Sequence, residues 1–277
     1  MLWRRIQATS IFILIAFTWS FAQSVRQPIA ARYTGLGAYS KNHVDAFSFT
    51  TNQAALAQIK NPAIGVYGER RFLLSSTNLY SAVAVLSTKL GNFGLQADYF
   101  GFKNYNESQI GLAYARSIGS KLDLGIKFNY YGFKIPVYGN STAINFELGA
   151  IAHVTEKLHI GIHAYNPVGG KLSNAEDEKL SSIYQFGIGY DASERFLVSA
   201  EIIKEEDQPI NVDVGAQYNF IGNFFIRAGT STETTNSYVG AGISWKSFRL
   251  DVSAGYHPHL GFTPGLLLIS NFNRKEE

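Results

Sequence analysis

Cysteine is absent from all 277 residues, which excludes disulfides, thiolate metal sites and lipidation at a cysteine. Long apolar runs are absent as well: no stretch reaches the ~18 residues that mark a transmembrane helix. A membrane location would therefore require strands. Charge is sparse and close to balanced, with 24 Lys plus Arg against 21 Asp plus Glu, so nothing points to a nucleic-acid partner. The chain contains neither a Gly-x-Ser-x-Gly nucleophile elbow nor a His-Glu-x-x-His zinc motif. No catalytic activity, cofactor or metal is expected.

Glycine and aromatics are plentiful, with 26 Gly, 20 Phe and 16 Tyr. From Ala63 onward the chain reverses about every 15 residues, a spacing suited to short membrane-crossing strands. Tight polar turns such as Gly119-Ser120-Lys121, Thr155-Glu156-Lys157 and Ser193-Glu194-Arg195 alternate with looser connections such as 134–141 and 166–179. Between them apolar and polar residues alternate. Leu122, Leu124, Ile126, Phe128 and Tyr130 share one face, and Asp123, Gly125, Lys127, Asn129 and Tyr131 the other, because successive strand side chains point to opposite sides. Aromatics near strand ends, among them Phe93, Tyr114, Tyr218 and Trp245, fall where an interfacial girdle would lie. A soluble sandwich shows the same dyad with its apolar face inward, but the turn asymmetry and an export signal favour the membrane.

The fold class is therefore all-β, a closed antiparallel transmembrane β-barrel. Segments 63–73, 78–89, 93–102, 107–117, 122–134, 142–154, 158–166, 181–190, 196–204, 209–219, 224–230, 236–245, 248–256 and 261–272 count to fourteen strands, with twelve the alternative if two do not span. Segments 78–89 and 261–272 are apolar on both faces, so their register stays open.

Residues 1–22 read as a cleaved secretory signal, with Arg4 and Arg5 ahead of an apolar stretch from Ile11 to Phe17 and a small-x-small site at Ser20-Phe21-Ala22. The barrel spans 62–277, placed in the outer membrane of a Gram-negative cell with its tight turns toward the periplasm. Fourteen strands tilted by about 40° enclose a backbone radius of roughly 14 Å, more than lining side chains fill. The loops are too short to fold in as a large constriction, so the segment 23–61 is expected to plug the lumen as a hatch.

Within that segment run Gly35-Leu36-Gly37-Ala38, then Asp45-Ala46, then Asn52-Gln53-Ala54-Ala55-Leu56. This order resembles the FadL-like outer-membrane proteins, most closely their PorV/PorQ branch associated with type IX secretion. Two departures are visible: one glycine of the first motif is missing, and Gln53 stands where the family usually has proline. The resemblance implies a 14-stranded barrel with an N-terminal hatch, and a non-catalytic accessory barrel that docks secretion or envelope proteins. The alternative it implies is passive transport of small hydrophobic molecules, which needs an external greasy groove that short loops scarcely provide.

Gly35, Leu36, Gly37, Asp45 and Asn52 form the candidate hatch motif. The two glycines would allow positive φ or a close approach to the wall. Asp45 would cap the turn 46–56 or pair with Arg227 or Arg249. A lumenal polar network is expected from Asp98, Asp123, Lys127, Glu147, Glu201, Asp213, Arg227, Arg249 and Asp251, because buried charge needs partners. Partner contacts are expected at Asn166, Pro167, Gly169, Gly170 and Lys171, in the longest connection. His159 and His163 lie ~13 Å apart along one strand, too far to share an ion, and read as isolated lumenal histidines. Expected partners are outer-membrane lipid, other envelope proteins and a small hydrophobic ligand.

Overall fold

The structure, a computed structural model, describes residues 35–135, 139–169, 180–220, 223–232 and 236–272. The signal sequence and the start of the hatch segment lie outside these residues. Fourteen strands follow in order: β1 (Ala63–Arg70), β2 (Asn78–Thr88), β3 (Gly91–Phe102), β4 (Tyr105–Ile118), β5 (Leu122–Ile135), β6 (Gly139–His153), β7 (Leu158–Tyr165), β8 (Ile183–Ser193), β9 (Phe196–Glu205), β10 (Asn211–Asn219), β11 (Phe224–Ser231), β12 (Asn236–Trp245), β13 (Phe248–His257) and β14 (Gly261–Asn271). Each pairs antiparallel with its neighbours in sequence, and β1 closes on β14 with Val66 opposite Leu268. Closure leaves no unpaired edge, the condition for strands to stand in hydrocarbon. Among the described residues the ladder is interrupted by one bulge, at Asp191/Ser193.

Side-chain direction follows the dyad. On β5, Leu124, Phe128 and Tyr130 are exposed outward, while Asp123, Lys127, Asn129 and Tyr131 are buried in the lumen. Ile144, Ile162, Val214 and Val252 continue the outer apolar surface. A globular protein in water buries such residues; here the greasy face is the outside, as a transmembrane barrel requires.

The two strands whose register the sequence leaves open flank the seam. Leu79, Val83 and Val85 of β2 and Leu267 and Ile269 of β14 point inward, and all are buried. Their outward neighbours Tyr80, Leu86, Leu266 and Leu268 face lipid. Both faces are apolar because the inner one has an apolar partner of its own. Phe47, Phe49, Leu56 and Ile59 of the hatch pack with Ala63, Tyr67, Val83, Val85, Leu267 and Ile269 into the largest core of the molecule.

The hatch crosses the lumen as three short 3-10 turns, Gly35–Tyr39, Ser48–Thr50 and Gln53–Gln58. The last lies against β3 to β6 and the first against β7 to β10. It joins β1 at the end of the barrel that carries the tight turns.

Two expectations need correction. The first strand ends at Arg70 rather than at residue 73, because Phe72 and Leu73 take left-handed backbone, with φ of 54° and 58°. The Phe72 N–H leaves the ladder and donates to Thr263 Oγ1 at 3.1 Å. The long connection after β7 also folds inward at its base. Leu180 is fully buried against Tyr131 and Ala143, and Asn166 Nδ2 donates to the Leu180 carbonyl at 2.6 Å.

Candidate functional site: the hatch and the lumenal wall

Among the described residues the hatch meets the wall chiefly through two apolar contact surfaces and three polar clusters. The larger apolar surface is the core just described; in the smaller, Ala38, Tyr39, Ala54 and Ala55 meet Ile151 of β6. Tyr67 meets Phe47 edge-on with ring centroids 6.5 Å apart, and Gly65 leaves room for the Phe47 ring, since a Cβ there would lie 2.6 Å from Cε2. Fully burying a Phe or Leu side chain contributes about 1.5–3 kcal/mol. This surface therefore anchors the hatch at least as strongly as any single polar contact.

The first polar cluster centres on Asp45. Its Oδ2 accepts from Arg249 Nη1 at 3.0 Å and lies 3.5 Å from Arg227 Nη2. Its Oδ1 accepts from the Phe47 N–H at 2.9 Å, while Ser48 Oγ accepts from the Asp45 N–H at 2.9 Å. Asp45 thus holds its own turn together and ties it to the wall. Arg249 grips Asp251 through two hydrogen bonds of 2.9 and 2.7 Å. Arg227, nearly inaccessible to solvent, donates to Gln217 Oε1 at 2.6 Å. Both guanidiniums lie over the Phe225 ring, at 5.1 Å for Arg227 and 4.4 Å for Arg249. Burying two cations is costly unless they are paired and hydrogen-bonded, and here they are.

The second cluster forms around Glu147, which takes Lys127 Nζ at 3.1 Å, Asn129 Nδ2 at 2.7 Å and His163 Nε2 at 3.1 Å. Gln53 of the hatch donates to the same carboxylate. Lys127 also donates to Gln96 Oε1 at 2.6 Å, and Gln96 Nε2 donates to Asp98 at 2.7 Å. Asn52 sits alongside. Its Oδ1 accepts from the Ala54 N–H at 3.0 Å, and its amide donates to the Ile162 carbonyl of β7 at 3.0 Å.

The third cluster is a continuous polar strap. Gln58 of the hatch donates to Asp123 Oδ2 at 2.6 Å, and the same oxygen faces His153 Nε2 at 2.8 Å. His153 Nδ1 and His159 Nδ1 are 2.8 Å apart. His159 Nε2 faces Asp191 Oδ2 at 3.3 Å, and Asp191 Oδ1 accepts from Ser40 Oγ of the hatch at 2.6 Å, with His43 Nδ1 at 3.4 Å. Both Nε2 atoms face carboxylates, and a bond between the two Nδ1 atoms needs one ring to donate and the other to accept. The strap links both halves of the hatch through the wall.

Of the residues expected in the polar network, Arg227, Arg249 and Asp251 join the first cluster, Asp98, Lys127 and Glu147 the second, and Asp123 the third. Glu201 and Asp213 stand apart, lining a void of about 20 Å³ with Tyr39 and Tyr238. Gly35, Leu36 and Gly37 form the buried first turn. The close approach at the two glycines is within the hatch itself: a Cβ at Gly35 would strike the Thr51 side chain, and one at Gly37 the His43 carbonyl. Neither has positive φ. Asn166, expected as a partner contact, is fully buried, because its amide closes the loop base onto Leu180. Pro167 and Gly169 follow it at the loop's start, and Gly170 and Lys171 lie outside the described residues.

Sequence reading misses the strap because it measures His159 against His163 along one strand. The partner is His153, directly opposite His159 in the register of β6 and β7. The tight turn at Thr155–Lys157 carries that signal, since it fixes which residues face each other across the hairpin.

No protein-family model and no curated protein matches the chain. Solved structures do. The CymD monoaromatic hydrocarbon channel is 15% identical with a TM-score of 0.65, over 90% of this chain and 98% of that one. The toluene transporter TbuX of Ralstonia pickettii is 12% identical with a TM-score of 0.66, over 89% and 98%. A FadL homologue of Pseudomonas aeruginosa is 12% identical with a TM-score of 0.59, over 86% and 96%. At such identities the likeness is one of architecture: this chain has the barrel fold of the FadL homologue and of these hydrocarbon channels.

Proposed function

We propose that the protein is a hatch-gated, passive conduit for small hydrophobic molecules across the outer membrane of a Gram-negative cell. The observation that carries this reading is the aliphatic sector of the inner wall, formed by the inward faces of β1, β2 and β14. A barrel that passes water-soluble solutes lines its lumen with polar groups. Here one sector carries an apolar cluster, and Phe47, Phe49 and Leu56 of the hatch cover it. A hydrophobic solute that displaced those three side chains would exchange like for like and leave water on neither side. The shared fold with channels for monoaromatic hydrocarbons and toluene agrees with that substrate class.

The docking role suggested by the PorV/PorQ resemblance has less behind it. The contact expected for it, the long connection after β7, turns inward at its base through Asn166 and Leu180.

The test uses the absence of native cysteine. Asn52→Cys with Gly149→Cys places two thiols where the hatch side chain already adjoins the wall. Proteoliposomes should take up a fluorescent monoaromatic probe faster than protein-free vesicles when reduced, and no faster when oxidised. Uptake at the protein-free rate in the reduced state would overturn the conduit. Uptake indifferent to oxidation would overturn the gating.

A further inference from the structure

The outer surface carries a groove of about 830 Å³ across β4 to β8. Leu124, Ile126, Leu148, Ala150, Ile162 and Ala164 line it, with Tyr114 and Arg116 at its rim. Its depth has a simple cause: the alanines of β6 and β7 lie low between larger neighbours. Beyond its floor the wall is thin, since Gly125 and Gly149 are the inward residues there.

The groove coincides with a break in the aromatic girdle. At the tight-turn end, outward aromatics recur around the barrel: Phe93 and Tyr114 on β3 and β4, then Tyr190, Phe196, Tyr218 and Trp245 from β8 onward. On β5, β6 and β7 the outward residues nearest the tight turns within the strands are Leu122, Ala152 and Leu158. Girdle aromatics settle at the headgroup level. Where they are missing, leucine and alanine side chains stand at that layer instead.

Charge marks the same place. Arg116 points outward two residues before the end of β4, and its guanidinium has no ion pair among the described residues. The turns bounding the break add Lys121 and Lys157, both exposed; the nearby Glu156 reaches toward Lys41 of the hatch instead, at 3.8 Å. A cation above an apolar trough matches an amphiphile with an anionic head. A guanidinium binds phosphate with two parallel donors.

We infer that this face is a binding site for one phospholipid of the periplasmic leaflet, its phosphate on Arg116 and an acyl chain along the groove. The occupant stands in for the missing girdle and fills the trough above the thin wall. The site is independent of the conduit: it lies outside the barrel, on strands other than those of the aliphatic sector.

The full chain would be reconstituted into phosphatidylcholine vesicles containing a minor share of phosphatidylglycerol, re-extracted in mild detergent, and its retained lipid counted by native mass spectrometry. One phosphatidylglycerol per barrel is expected. Arg116→Gln should lower retention at least ~tenfold, as loss of a charge-assisted bidentate contact does, and Ala150→Phe should do the same by filling the trough. Both residues face outward, and retarded migration of the unheated protein on a gel verifies that the barrels are intact. A barrel that retains no lipid overturns the site. Equal retention in both variants shows annular lipid only and overturns it too, as does a second copy of the chain seated on this face in cross-linking.

Discussion

The ring of Tyr39 occupies the space that any side chain at Gly187 would fill: a Cβ built at that position overlaps the ring, and Gly161 and Gly189 adjoin the same residue. Glycines at alternate positions of β8, opposite another on β7, are thus the imprint of one hatch side chain on the wall. Gly187→Ala should force the hatch outward at a cost of about 1–3 kcal/mol, the usual range for overpacking. Limited proteolysis of the 40–61 segment in the folded barrel would detect it. Tyr39→Ala in the same chain should restore protection. A Gly187→Ala hatch as resistant as the parent's would mean Tyr39 does not set the fit.

Asp45 separates two contributions. Asp45→Asn keeps an oxygen for the Phe47 N–H but removes the charge facing Arg227 and Arg249. Loss of about 3 kcal/mol of hatch stability is expected, the low end for an uncompensated buried charge, because Asp251 still holds Arg249 through both oxygens. Asp45→Ala should lose about 1 kcal/mol more, the worth of the cap. Hydrogen exchange of the Phe47 and Ser48 amides reads both. Equal protection in Asn and Ala variants would deny the cap.

The histidine strap has its own signature. Replacing either ring leaves the other Nδ1 without its partner, so His153→Phe and His159→Phe should each weaken the hatch by about 1–3 kcal/mol. The double variant should cost less than the sum of the two, since the shared bond is lost only once. Protease sensitivity of the hatch in the parent, the two single variants and the double variant reads the three costs. Additive single costs would refute the ring-to-ring bond.

The strands were legible because a dyad with lipid outside and polar groups inside leaves a repeating pattern in each segment, as Leu124, Phe128 and Tyr130 against Asp123, Lys127 and Asn129 show on β5. Where the hatch intrudes, the pattern dissolves. Val83, Val85, Leu267 and Ile269 lie on strands apolar on both faces, so the sequence leaves their direction open; they are inward, and their partners Phe47 and Phe49 are more than thirty residues from the nearest of them in the chain. Cross-strand chemistry was hidden for a related reason. His153 meets His159 only once the hairpin register is fixed, and Asp191 meets Ser40 and His43 only once the hatch is seated. The inward fold of the loop base after β7 depends on Leu180 finding Tyr131 and Ala143, a contact no local pattern announces.

Phe47 offers the sharpest test of where solutes would pass. It fills the angle between Gly65 and Tyr67 and shields the aliphatic sector from the ionic cluster at Asp45, two residues away in sequence. Phe47→Ala should remove about 3–5 kcal/mol of hatch anchoring through lost burial and the cavity left behind. It leaves the Arg249–Asp251 and Lys127–Glu147 contacts in place. The opening created is lined by aliphatic side chains on one side only. Uptake of a monoaromatic probe should therefore rise several-fold, while a small sugar of similar size should enter no faster, because its hydroxyls would exchange water for a wall that offers them no partners. If sugar and probe accelerate together, the variant has merely loosened the hatch, and the aliphatic sector is a docking surface for the plug rather than a route.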